Sequence, residues 1–408
     1  MTILLLSISL LLLVSVAADI IVQIGSRPFY LVDEMKEGSL KDKLAQCAAK
    51  TKVYKVSDFS IGHRGASLMY PEHTIESYKA ALIQGAGIVE CDVTFTKDRE
   101  LICRHDQCDL HTTTDVILRP KLNAKCTVPW AKGVEPKCCT TDFTLAEIKK
   151  LCAKMDSSNE SAKSKKAFVY GGTPDWRTDL YASYGATCPK VPTHKESIEL
   201  IRNSHGKFTP ELKSPQVAMP YEGNYTQQEY AQQMINEYID AGIPPCHVWP
   251  QSFSVDDVYY WLDNTDYGQQ AVALDEIDDR DPNQIDEFLD ELVEKGVQIV
   301  APPLFRLVEA GENEEIVPSY YAMAAKDRGL DIITWTLERT PPGLMGYYWQ
   351  SLNEANFTTT EGSRLELLHV LNQEVGVLGV FSDWPATTTF YANCMNVKTR
   401  AGLGPCQD

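Results

Sequence analysis

The sequence predicts an α/β chain closed into a (β/α)8 barrel of the TIM type, and three observations carry that expectation. From Phe59 to Phe381, eight short apolar runs alternate with amphipathic helical patterns. Glycine punctuates the helix-to-strand junctions at Ala241-Gly242, Lys295-Gly296 and Arg328-Gly329. Eight strands with helices between them, spread over roughly 350 residues, is the count that closes such a barrel. An open doubly wound sheet is the alternative, because periodicity alone does not show closure.

In chain order the strand candidates are Phe59–Gly62, Ile88–Asp92, Lys207–Glu211, His247–Pro250, Ala271–Leu274, Val297–Ala301, Asp331–Trp335 and Val377–Phe381. Helical patterns cover Ile75–Gln84, Gln227–Ala241, Pro282–Lys295, Pro318–Asp327 and Ser363–Glu374. One interval breaks the rhythm. Between the second and third strands lie more than a hundred residues that hold Cys103, Cys108, Cys126, Cys138, Cys139, Cys152 and Cys188. An ordinary barrel connection is far shorter, so this stretch is a cysteine-rich insertion pinned by cystine bridges. Within it Lys154–Lys166 is rich in Lys and Ser and is expected to be a mobile surface loop. Asp256–Glu294 carries fourteen acids against one arginine, the pattern of a solvated helical face.

The 408 residues carry a formal charge of −18 and twelve cysteines. The charge excludes a global basic face for nucleic acid, and the cysteine count points to an oxidising compartment. Ile3–Ala18 is a nearly continuous apolar run ending in Val16-Ala17-Ala18, a signal-peptidase pattern. No later stretch approaches the ~20 apolar residues of a membrane span. The sequons at Asn159, Asn224 and Asn356 fit a secreted glycoprotein. The expected organisation is a signal peptide over 1–18, an N-terminal extension over 19–58 and the barrel over 59–393. The insertion covers about 106–200, and a tail covers 394–408. Most cysteines are expected to be oxidised, with Cys394 paired to Cys406 and Cys91 the exception.

Chemistry concentrates in Ile61-Gly62-His63-Arg64-Gly65, Tyr70-Pro71-Glu72-His73-Thr74, Val89-Glu90-Cys91-Asp92-Val93-Thr94 and Leu101-Ile102-Cys103-Arg104-His105-Asp106. Residues two apart in a strand share a face, so Glu90 and Asp92 point one way and Cys91 the other. Two carboxylates at the end of an apolar strand bind a cation, share a proton or face solvent. Lys97-Asp98-Arg99-Glu100 reads as a hairpin turn; if Thr96 pairs with Leu101, Asp92 falls opposite His105. His63 ends the adjacent strand, so two imidazoles and two carboxylates gather at one rim.

The order His-Arg-Gly, Pro-Glu-x-Thr, Glu-x-Asp-x-x-x-Thr-x-Asp and His-Asp resembles the glycerophosphodiester phosphodiesterase family, a (β/α)8 fold of the PLC-like phosphodiesterase superfamily. The resemblance continues in Pro210-Glu211-Leu212-Lys213-Ser214-Pro215, Gln251-Ser252-Phe253, Thr334-Trp335-Thr336 and Ser382-Asp383-Trp384-Pro385, and so spans about Phe59 to Pro385. His73 stands where the family usually has Asn, and Cys91 where an apolar residue is usual. The resemblance implies a metal-dependent enzyme hydrolysing glycerophosphodiesters to glycerol phosphate and an alcohol, and the N-terminal run and cysteines make it a secreted one. It implies one divalent cation, Mg²⁺ or Ca²⁺, on Glu90, Asp92 and Glu211; an all-oxygen set suits either. His63 and His105 become the acid–base pair, one activating the nucleophile and the other protonating the departing oxygen.

Arg64 and Lys213 are expected to bind the phosphate and Trp335 to wall the substrate; simple barrel packing is the other reading of Trp335. Asp383 reads as a turn or helix-cap residue before Pro385, and His111, His194, His205, His247 and His369 as structural. The expected partner is a small or lipid-derived phosphodiester, with no nucleic acid and no stable membrane span. Two other readings are open: a phospholipase D-like enzyme acting on lysophospholipids or sphingomyelin, and a non-catalytic ligand-binding barrel.

Overall fold

The apolar runs pair in parallel around a closed ring. In a computed structural model, which describes residues 21–174, 177–178, 187–276, 281–313, 315–340, 346–353 and 360–398, the strands number β1 to β11 in chain order. The ring is β1 (Ser57–Gly62), β2 (Ala86–Phe95), β4 (Lys207–Leu212), β5 (Gln251–Ser252), β6 (Val272–Leu274), β7 (Ile299–Ala301), β10 (Asp331–Thr334) and β11 (Gly379–Ser382). β11 pairs back onto β1, and β1 onto β2, so the eight-stranded barrel is closed. β3 (Leu101–Cys103) folds antiparallel onto β2, while β8 (Val308–Ala310) and β9 (Ile316–Pro318) form a separate hairpin.

Two-residue alternation sorts the side chains. Ile61, Ile88, Val272, Ile299, Ile333 and Phe381 fill the barrel interior, whereas Val89, Cys91 and Val93 face the surrounding helices. The helices begin where side chains satisfy their first amides: Thr74 accepts from Ser77 N, and Thr193, Thr226 and Asp281 form capping boxes.

Several expectations need correction. The fourth barrel strand is Gln251–Ser252 rather than His247–Pro250. Pro245–His247 form a 3₁₀ turn, so pairing begins at Val248, opposite Phe208, with Trp249 N donating to Phe208 O and Pro250 O accepting from Val272 N, and leads into Gln251–Ser252. The β2–β3 register is Val93↔Cys103, one residue from the expected pairing, because the turn is tighter. Arg99 takes a left-handed φ of 61°, and Thr96 N reaches Glu100 O at 3.0 Å, leaving a three-residue loop. Asp92 O therefore receives Arg104 N at 2.8 Å, and the strand ends before His105.

Lys154–Lys166 is a surface segment, as expected, anchored at its two ends. Lys154 is buried, its ammonium donating to the carbonyls of Thr112, Met155 and Ser157, and the helix Lys165–Val169 buries Phe168. The insertion has its own apolar cluster, including Leu110, Val116, Phe143, Leu151 and Val191. Cys108–Cys139, Cys126–Cys138 and Cys152–Cys188 staple it.

The predicted signal peptide, the Asn356 sequon and Cys406 lie outside the described residues. Cys394 pairs with Cys47 across a separation of 347 residues, and Cys91 pairs with Cys103. Both outcomes follow from packing. The helices Arg27–Asp33 and Ser39–Lys50 of the extension lie against the C-terminal helix Ala386–Met395, bringing Cys47 to Cys394. Hairpin closure brings Cys103 to the outer face of β2, where Cys91 already points. No helix among the described residues is long and apolar enough to cross a membrane.

The Cys47–Cys394 bridge closes a very long loop on the side chains of two helices remote from the cleft. Replacing both with Ala is expected to cost about 2–4 kcal/mol in urea unfolding while leaving turnover unchanged. Unchanged stability would show that the bridge constrains nothing.

Candidate active site

The site is built where β1, β2 and β4 end. Gly62 closes β1 and the chain turns sharply through Arg64 (φ 55°) and Gly65 (φ 91°). A Cβ on Gly65 would lie 2.3 Å from Ser77 Oγ, so only glycine fits that turn. The turn aims Arg64 N at Glu90 Oε2 (2.9 Å) and carries the His63 ring over the barrel mouth.

Parallel register does the rest. β2 and β4 pair Glu90↔Thr209 and Asp92↔Glu211, so two carboxylates sit directly abreast on neighbouring strands. Ligand oxygens of Glu90, Asp92 and Glu211 all lie within 4.8 Å of one another, and all three residues are buried. Burial, then the charges of Asp92 and Glu211, pushes Glu90 well above the ordinary carboxylate range. Burial with Asp92 alongside pushes Glu211 up to about 8, although Lys213 pulls the other way. Asp92 is the exception: despite burial, His73 and Lys213 hold it well below the usual range.

Cations and donors surround this cage. Lys213 Nζ lies 2.5 Å from Glu211 Oε1, and Arg64 Nη1 and Nε lie 2.9 Å from Glu72 Oε2 and 3.5 Å from Asp92 Oδ2. Gln251 Nε2 donates to Glu90 Oε1 at 3.1 Å. Asp92 Oδ1 is nevertheless buried with no hydrogen-bond donor. An orphaned anionic oxygen inside three converging carboxylates fits a hard divalent cation.

His63 and His105 line the same cleft of about 480 Å³, together with Arg64, Glu211, Lys213 and Trp335. All eight residues expected in the site on the basis of sequence thus converge, Asp92 directly beneath the cleft. His105 arrives although its predicted strand pairing fails, because the chain bends inward after Cys103. Burial lowers both imidazoles, His63 to about 4 and His105 well below its ordinary value. The Trp335 indole N–H donates to Ala301 O at 2.9 Å, so the ring is fixed against the wall.

The match of residues 63–387 to the model described as the glycerophosphoryl diester phosphodiesterase family decides the relationship. The chain belongs to this family. It is an enzyme, a phosphoric diester hydrolase. It is 41% identical over 251 residues to an "Extracellular protein" of Arthroderma benhamiae, spanning 60% of this chain and 100% of that relative. Over 387 residues it is 25% identical to a glycerophosphodiester phosphodiesterase of Arabidopsis thaliana, covering 90% of this chain and 92% of the relative. Among solved structures, a putative glycerophosphoryl diester phosphodiesterase from Silicibacter pomeroyi superposes with a TM-score of 0.55 at 17% identity, over 84% of this chain and 94% of that one. That likeness concerns the fold. Members of the family generally depend on a divalent metal.

Three features of this family member escape sequence reasoning. Asp383, expected as a turn or cap residue, lies in a bend but makes no cap to the helix after Pro385. Its Oδ1 lies 3.0 Å from His63 Nδ1 and accepts from Ser67 Oγ, and Arg339 Nη2 lies 3.1 Å away. Glu338 supports that loop, its Oε2 accepting from Ser382 Oγ (2.8 Å) and Asp383 N (3.0 Å). His73, buried with φ 50°, places Nε2 2.7 Å from Asp92 Oδ2 and Nδ1 2.9 Å from the Tyr78 hydroxyl. The position of Asp383 after an apolar strand was the available signal, but its partner lies 320 residues away in sequence.

The contact with Asp383 fixes the orientation of the His63 ring, and its carboxylate would stabilise an imidazolium formed there. Asp383→Asn is expected to lower kcat by about 10²-fold or more without weakening metal binding. Steady-state kinetics beside a metal titration check this; near-normal kcat would remove Asp383 from the machinery.

Proposed function

We propose that the enzyme is a secreted glycerophosphodiester phosphodiesterase that binds one divalent cation, Mg²⁺ or Ca²⁺, on Glu90, Asp92 and Glu211 and uses His63 and His105 for proton transfer. The observation that carries this reading is the convergence of three buried carboxylates and two imidazoles on one cleft. When bound, the cation supplies charge neutralisation at the phosphoryl oxygens. Lys213 and Arg64 hold the anionic phosphate at the β1–β2–β4 rim, an attraction that counters the repulsion of a protein with charge −18.

The hydrogen-bond pattern assigns the proton of neutral His63 to Nδ1, facing Asp383, and leaves the Nε2 lone pair toward the cleft. With its pKa near 4, His63 is neutral at neutral pH and accepts the proton of the attacking hydroxyl. His105 then protonates the departing alkoxide; the anionic phosphodiester beside it favours the imidazolium that this step needs. A cleft of about 480 Å³ suits a small phosphodiester.

The disulfides and the similarity to an "Extracellular protein" support secretion, with the apolar run before Asp19 as signal peptide. Asn224 is exposed and Asn159 half-buried at the surface of the insertion, positions open to glycans.

His63→Ala and His105→Ala should each lower kcat by about 10²–10⁴, with the double variant barely worse than either. Metal affinity should change little, because the carboxylates are intact. Identifying products by phosphorus NMR checks the reaction; a single variant with near-normal kcat would remove that histidine from the mechanism.

A further inference from the structure

The loop that follows β10 carries two side chains that hold Asp383. Glu338 Oε2 accepts from Asp383 N at 3.0 Å and from Trp384 N at 3.4 Å, and Arg339 Nη2 lies 3.1 Å from Asp383 Oδ1. Their aim depends on how the backbone from Leu337 to Thr340 is fixed. One end of it belongs to the barrel, where Leu337 N donates to Phe381 O at 3.0 Å. The loop is also gripped by a buried guanidinium. Arg364, 2% exposed, donates from Nη1 to Leu337 O and from Nη2 to Thr340 O at 3.2 Å, and so brackets Glu338 and Arg339. Its Nε and Nη2 donate to the two oxygens of Glu361, each at 3.2 Å. Behind it stands the N-terminal extension: Arg27 lies 3.1 Å from the same Glu361 and 5.0 Å over the Trp384 ring, beside Asp383.

We propose that Arg364 is a positioning residue for the hydrolysis: through the loop Leu337–Thr340 it fixes Asp383 and hence the His63 ring, an inference that rests on the proton transfer assigned to His63 above. A buried charge is expensive to desolvate unless its donors are matched, and Arg364 makes four hydrogen bonds to two carbonyls and one carboxylate. The planar fork of arginine reaches all three acceptors at once; a lysine ammonium, one compact donor on a flexible stem, does not. A shift of about 1 Å in a group remote from the chemistry can cost about 10²-fold in rate, and here each link of the chain from Arg364 to His63 is a direct contact. The family match begins at residue 63, so Arg27 lies outside it. The extension thus acts as a brace behind Arg364, on the side of the barrel that orients His63.

The test is a double-mutant cycle read in kcat and KM on glycerophosphodiester, with thermal unfolding as the check on folding. Arg364→Lys keeps the charge and removes the fork; it should lower kcat by about 10- to 100-fold and leave KM within about twofold. Glu361→Gln alters a partly exposed partner instead of the buried group and should lower kcat several-fold, so it decides the matter if Arg364→Lys does not fold. In an Asp383→Asn background neither substitution should lower kcat further, because the contact through which both act is already lost. Near-normal kcat in a folded Arg364→Lys enzyme, or losses that multiply with that of Asp383→Asn, overturns the inference while hydrolysis stands. Near-normal kcat for Asp383→Asn alone would instead overturn the His63 reading beneath it.

Discussion

Three carboxylates are forced together by strand register, and much of the barrel mouth answers that one constraint. Asp92 and Glu211 face each other across β2 and β4, and Glu90 shares their face one pleat away. Like charges about 4 Å apart repel by about 4 kcal/mol at an effective dielectric near 20. Such a group persists in a buried site only if countercharges or protons offset the repulsion. Arg64, Lys213, Gln251 and His73 supply part of the compensation within the protein. The raised pKa values of Glu90 and Glu211 and the orphaned Asp92 oxygen mark what is left uncompensated. The divalent cation proposed for this site would complete the balance.

The same constraint explains why the surroundings are stapled. Cys91, between two of the acids, is bonded to Cys103, and Arg104 donates from its side chain to the carbonyls of Glu72 and His73. That short stretch therefore joins β2, the turn bearing Glu72 and His73, and the segment that delivers His105. On the other side, Glu338 fixes Asp383, which fixes His63. Asp156 of the insertion lies 3.1 Å from Arg339 Nη1, so the cysteine-rich excursion is tied into the same network. Through Arg339 the insertion is thus tied to Asp383 rather than standing apart.

Much of this was legible in the sequence because it is local. Strand periodicity placed Glu90 and Asp92 on one face, and the spacing of helices and strands revealed the barrel count. Glu211 and Lys213 were readable through the family resemblance of their motif, Glu211 near the end of β4 and Lys213 just past it. The failures were long-range or conformational. The β2–β3 register turned on Arg99 adopting a left-handed φ, which composition does not announce. Asp383 looked like a cap because its partner, His63, comes next to it only when β11 closes on β1. Cys47–Cys394 was invisible because the N-terminal helices carry no signal of where they pack.

The most direct test is calorimetric titration of the metal-free enzyme with Mg²⁺ and Ca²⁺, read beside its thermal unfolding. One site per chain should appear, with the unfolding midpoint rising as the cation binds, and Glu211→Gln should weaken binding sharply. A protein that binds neither cation, or that binds one equally well after Glu211→Gln, would contradict the carboxylate cage on which this account depends.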